Sequence, residues 1–164
     1  MPIIVYSVPS RTGVNVTPKT CLELSKIDNI VAIKEASGNL SQIAEIASLC
    51  GDNLHIYSGN DDQVLPVLSL GGKGVISVIS NIAPRKFTNM IHSYFDGNLD
   101  DAMRIQLESI ELIKALFCEV NPIPVKAALN IIGYNYGTPR LPLIEISNAN
   151  KEILTNAMKN YNLL

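Results

Sequence analysis

The sequence predicts an α/β fold of four βα units followed by a run of helices. Three observations carry this. Short runs rich in Ile, Val and Ala recur along the first half, each followed by an amphipathic stretch that opens on capping residues. Hydrophobic residues make up 47% of the 164-residue chain while aromatic residues make up only 5%, the composition of parallel strands buried beneath helices. After Pro84 the strand signals stop and only helical periodicity remains. Four βα units form either half of an eight-stranded (β/α)₈ barrel or a small open sheet. A complete barrel takes about 250 residues, so this chain does not close one by itself.

Taken in order, Ile3 to Val8 reads as a short buried strand that runs into a Pro9-Ser10-Arg11-Thr12-Gly13 turn. Gly13 supplies a positive φ there. Thr17 and Pro18 suit the N-cap and first turn of a helix through about Ser25. Ile30 to Lys34 is the second strand, and Asn39 or Ser41 caps a helix to about Cys50. Leu54 to Ser58 is the third strand, with Asn60-Asp61-Asp62 capping a helix over Gln63 to Leu70. Gly71 to Gly74 is a tight turn before a fourth strand, Val75 to Val78. Helices then follow over Arg85–Tyr94, Leu99–Cys118, Val125–Ile132 and from Ser147 to the end. Residues 1–98 are assigned to the barrel half and 99–164 to a helical C-terminal extension.

Composition excludes several roles. The net charge of −2 leaves no basic stripe for nucleic acid. No apolar run reaches the roughly 18 residues a membrane helix requires. The start, with Pro2 and Pro9 bracketing a strand, does not read as a signal peptide. Cys21, Cys50 and Cys118 show no metal-ligand spacing and read as buried free thiols, which suits a reducing cytoplasm. His55 and His92 have no ligand partners at useful spacing.

The chemistry-bearing candidates sit at strand ends, where α/β barrels place their reactive groups. Lys34 ends the apolar run Val31-Ala32-Ile33. Burial there would disfavour its charged form and yield an amine able to attack a carbonyl. The alternative is a solvent-facing lysine paired with Glu35. Tyr6 is a proton relay or a half-buried aromatic. Arg11 is a carboxylate clamp or a solvated loop residue. Asp61 and Asp62 suit helix capping better than metal ligation. Asn121-Pro122-Ile123-Pro124 is a rigid lead into a helix.

Several segments in register carry a resemblance to a known family. They are Tyr6-Ser7-Val8-Pro9-Ser10-Arg11-Thr12-Gly13, Ile33-Lys34-Glu35-Ala36-Ser37-Gly38 and Tyr57-Ser58-Gly59-Asn60-Asp61-Asp62, then Gly71-Gly72-Lys73-Gly74-Val75-Ile76-Ser77 and Asn121-Pro122-Ile123-Pro124-Val125-Lys126. Together they resemble the dihydrodipicolinate synthases, pyruvate-dependent class I lyases of the aldolase superfamily. The resemblance implies the C-terminal half of a (β/α)₈ barrel, with strands equivalent to the fifth to eighth. It implies Lys34 as the Schiff-base lysine for pyruvate and Tyr6 as the proton-relay tyrosine. Arg11 would bind the carboxylate of aspartate semialdehyde, with Gly59 and Ile76 lining the pocket. No cofactor is implied beyond the covalent Schiff base.

The related neuraminate lyases and sugar-acid aldolases share the lysine and tyrosine but usually lack the Arg-Thr-Gly continuation, so Arg11 favours the synthase. Ser7 stands where the family typically has Asn. The family's Thr-Thr pair, second tyrosine and most of its lysine feedback site belong to the half the chain lacks. The expected partners are pyruvate, aspartate semialdehyde, further copies in a homo-oligomer and the missing N-terminal half as a separate chain. Weak or no turnover is expected of the chain alone. A non-catalytic half-barrel that assembles through open strand edges is the competing reading.

Overall fold

The computed structural model describes residues 1–164, which form two compact units, Met1–Ser77 and Val78–Leu164. The sequence reading places its boundary after residue 98. The division at Ser77 instead assigns the helix Pro84–Phe95 to the second unit, where it packs on the helix Leu99–Glu108.

In the first unit, β1 (Ile3–Ser7), α1 (Pro9–Thr12), α2 (Pro18–Leu24), β2 (Ile30–Glu35), α3 (Leu40–Cys50), β3 (His55–Ser58), α4 (Val64–Ser69) and β4 (Gly74–Val75) follow in order. The strands form one parallel sheet in the order β1-β2-β3-β4. Side chains alternate between its faces. Val5, Ile33 and Ile56 share a register row and face the helices, packing with Cys21, Ile43, Ile46, Cys50 and Val67. Tyr6, Lys34, Tyr57 and Gly74 share the next row, on the opposite face. That face is open: Ile4 and Tyr6 are 49% and 46% exposed.

Local chemistry explains most boundaries. The Thr17 side chain accepts from Thr20 N and that of Asn39 from Gln42 N, so α2 and α3 start at their expected caps. The expected turn at Pro9 is a single helical turn, α1, closed by Gly13 at φ 71°. Asn60 provides no cap: a 3₁₀ turn over Asp61–Gln63 precedes α4. The fourth strand stops at Val75 rather than Val78. Its only neighbour, β3, ends at Ser58 opposite Val75, so the ladder has no partner to continue on.

Burial pushes the Cys21 thiol up to about 11, helped by the neighbouring Cys50 and Glu35, and burial raises Cys50 as well. Cys118, one residue past the cap that ends the helix Ile110–Leu116, is only half-buried, and burial raises it too. The thiolate is the reactive form. Cys21 and Cys50 are therefore expected to resist maleimide or Ellman's reagent at neutral pH until the chain is denatured, with Cys118 modified first. Rapid labelling of Cys21 in the folded chain would contradict the packing described.

The second unit contains α5 (Pro84–Phe95), α6 (Leu99–Glu108), α7 (Ile110–Leu116), α8 (Ile123–Ile132) and α9 (Asn148–Asn160). Its core is built on Phe87, Met90, Leu112, Leu116, Leu154 and Met158. The single helix expected over Leu99–Cys118 breaks at Ser109. That buried hydroxyl donates back to Ile105 O at 2.7 Å and pairs with the Tyr161 hydroxyl at 2.8 Å. Such back-bonding competes with the helical ladder and bends it.

Ser147 caps α9, and its backbone N and hydroxyl, with Asn150 Nδ2, all donate to one oxygen of Glu119. These bonds, Asn150's foremost, hold Glu119 below its ordinary value of 4.5. A depressed carboxyl stabilises above its ordinary value, and the contribution is lost as pH falls through the lowered one. Amide protection at residues 147–151, with the intrinsic exchange rate divided out, should therefore fall as pH drops below about 5, and Glu119→Gln should remove most of that dependence. No helix in the chain is long and apolar enough to cross a membrane.

Candidate active site

The site lies at the C-terminal ends of β1 to β4, the end at which open α/β sheets and barrels bind ligands. Alternation along β2 decides its centre. Ile33 and Glu35 turn toward the helices, so Lys34 must project from the open face. There its Nζ lies 4.1 Å from the centroid of the Tyr6 ring, across the β1–β2 ladder. Such a contact contributes about 0.5–1 kcal/mol where solvent reaches it. The amine is half-buried and makes no ion pair with Glu35, which occupies the other face. A primary amine beside a phenol is suited to carbonyl addition, with the phenol positioned to exchange protons.

The remaining candidates are placed as follows. Arg11 is exposed on α1, one turn beyond the end of β1. Gly59 immediately follows β3, and its N–H donates to Glu35 O at 2.6 Å. A Cβ at Gly59 would stand 2.5 Å from that of Ala36, so only glycine lets β3 approach β2 this closely. Ile76 lies just past β4, 40% exposed, with its N–H on Ser58 O at 2.9 Å. Tyr6 and Lys34 are thus in contact, Gly59 is packed against the end of β2, and Arg11 and Ile76 stand at the same sheet end.

Sequence reasoning missed two features. Tyr57 shares the row of Tyr6 and Lys34, which follows from the strand register but not from any single segment. Behind the sheet, Glu35 is 1% exposed yet accepts from Ser37 N at 3.1 and 3.2 Å and from Gln42 Nε2 at 2.9 Å. Gln42 in turn exchanges two hydrogen bonds with Asn15, of 2.7 and 3.2 Å. The period of two in Ile33-Lys34-Glu35 was the available signal that Glu35 faces away from the lysine. Ser7 is buried, and its hydroxyl accepts from Val16 N at 3.4 Å, holding the same loop that carries Asn15.

The dihydrodipicolinate synthetase family profile matches residues 1–161. The 4-hydroxy-tetrahydrodipicolinate synthase of Caldicellulosiruptor saccharolyticus is 56% identical over 163 residues, and that of Clostridium novyi 52% over 162. Each comparison covers 99% of this chain and 55% of the relative, so the chain spans about half the length of the curated relatives it matches. Among solved structures, the Cyanidioschyzon merolae enzyme with lysine bound superposes with a TM-score of 0.96 at 43% identity. The chloride-inhibited Acinetobacter baumannii enzyme complexed with pyruvate gives 0.95 at 35%. Both alignments cover 100% of this chain and 56% of the solved chain. The parallel sheet with its helices is therefore about half of that family's barrel architecture, and the chain belongs to the dihydrodipicolinate synthetase family.

Proposed function

We propose that the chain carries the nucleophile-bearing half of a lyase that condenses pyruvate with aspartate semialdehyde, on the route to lysine. The observation that carries this reading is Lys34 on the open sheet face with its amine against the Tyr6 ring. In this reading the Lys34 amine adds to the keto carbon of pyruvate, and loss of water leaves an imine. Tyr6 relays the protons that this requires. Removal of a methyl proton gives the enamine, whose carbon adds to the aldehyde of the acceptor. Cyclisation through the acceptor's own amine releases Lys34. Arg11 holds the acceptor's carboxylate, and Gly59 and Ile76 border the pocket. No cofactor is needed in this reading, because the protonated imine formed with Lys34 accepts the electron pair left by the methyl proton.

The pyruvate complex of the Acinetobacter relative supports the substrate. The names of the curated relatives support the product. We further propose a homo-oligomer in the cytoplasm. The open face bearing Ile4 and Tyr6 favours association, and three unpaired thiols suit a reducing compartment. Sedimentation equilibrium showing a clean monomer at micromolar concentration would count against the oligomer. Borohydride reduction in the presence of pyruvate, read by intact mass and peptide mapping, tests the chemistry. A reduced pyruvate adduct on Lys34 is expected, and a folded sample without one would refute the reading.

A further inference from the structure

We infer that Asn15, Gln42 and Glu35 are positioning residues, a chain of hydrogen bonds that holds the Arg11 loop in fixed register with the Lys34 strand. The inference rests on the Schiff-base reading above and extends it to the acceptor half of the reaction. Asn15 lies four positions beyond Arg11, on the loop between α1 and α2. Glu35 is the residue after Lys34 and the last of β2. Between them stands Gln42, in the first turn of α3, 8% exposed, with its own backbone N–H on the Asn39 cap.

Both Nε2 protons and the oxygen of the Gln42 amide are hydrogen-bonded. One Nε2 proton goes to Glu35 Oε1 at 2.9 Å and the other to Asn15 Oδ1 at 3.2 Å, while Oε1 accepts Asn15 Nδ2 at 2.7 Å. A paired amide with both of its ends committed has one geometry, and a buried carboxylate behind it strengthens the contact. The far oxygen of Glu35 closes on Ser37 N, which fixes the turn leaving β2. The link therefore runs from the loop that follows the Arg11 turn, four residues beyond the arginine, to the strand of Lys34. Its mechanical effect is to set where the acceptor's carboxylate is held relative to the enamine carbon. Misplacement by about 1 Å from a change remote from the chemistry costs on the order of 10²-fold in such reactions.

The test separates the two halves of the reaction. The Lys34–pyruvate adduct is formed, aspartate semialdehyde is added at graded concentrations, and borohydride trapping reads how much adduct survives. In Asn15→Ala and Gln42→Met the half-saturating acceptor concentration is expected to rise about tenfold. The half-saturating pyruvate concentration is expected to shift less than twofold. The double variant should match Gln42→Met alone, because both changes break one link. A purely structural role would lower the melting temperature and the amount of folded chain, and would leave the acceptor half-saturation of the folded fraction unmoved. That result overturns the inference, as does an adduct in the unaltered chain that the acceptor does not discharge. Absence of any adduct in the unaltered chain refutes the Schiff-base reading itself and removes the inference with it. Asn15 is exposed, so Asn15→Ala keeps the test decisive if Gln42→Met does not fold.

Discussion

Lys34→Ala is expected to abolish the borohydride-trapped pyruvate adduct entirely while leaving the fold intact. The side chain projects from the open sheet face and takes no part in the packed core of Ile33, Ile43, Ile46 and Val67. The contact it gives up is with the Tyr6 ring, so stability should change by about 1 kcal/mol or less. Lys34→Arg is the sharper version. It keeps a cationic side chain able to stack on an aromatic ring, yet a guanidinium does not condense with a ketone under these conditions. Adduct on another lysine, or unchanged adduct mass in either variant, would show that Lys34 is not the nucleophile. Tyr6→Phe should separate the roles of the pair. The ring contact is retained and the phenol lost, so imine formation should slow by about 10²–10⁴-fold, the usual worth of a positioned acid–base group.

The second large effect lies one residue earlier. Ile33 is fully buried at the centre of the helix-facing row, between Val5 and Ile56, and packs under α2 and α3. Ile33→Ala removes three carbons from a site walled by strands on both sides, where little can collapse into the gap. A loss of about 2–5 kcal/mol is expected, read as a lower urea midpoint. The same substitution should also reduce pyruvate trapping in what remains folded, because Ile33 and Lys34 are consecutive residues of one strand. A cavity behind β2 loosens the backbone that aims the amine. Ile33→Val, which deletes one methylene, should cost only about 0.5–1.5 kcal/mol and leave trapping near normal.

Particular residues show how much was legible beforehand. The apolar run Ile30 to Lys34 identified a strand, and its end identified the lysine, because hydrophobic periodicity is local information. The caps at Thr17 and, with Ser41 as the alternative, Asn39 were legible for the same reason: each acts on an N–H three residues away. The break at Ser109 was not, since Ser109 back-bonds within its helix but is fixed by Tyr161, 52 positions later. Nor was the end of β4, which depends on where its neighbour β3 stops. The placement of Glu35 was half-legible. Alternation alone sends it to the face opposite Lys34, but pairing with Lys34 remained open until α3 was seen to supply Gln42 as its partner.

The sequence by itself determined the α/β class and the family, because strand and helix periodicities and short motifs are properties of neighbouring positions. Tertiary structure alone decided that Lys34 meets Tyr6, that Tyr57 joins their row, and that Asn15 is tied through Gln42 to Glu35. These pairs are separated by up to 28 positions and depend on strand register and on the docking of α3. Register fixes which side chains share a face, and a slip of one residue would reverse them all.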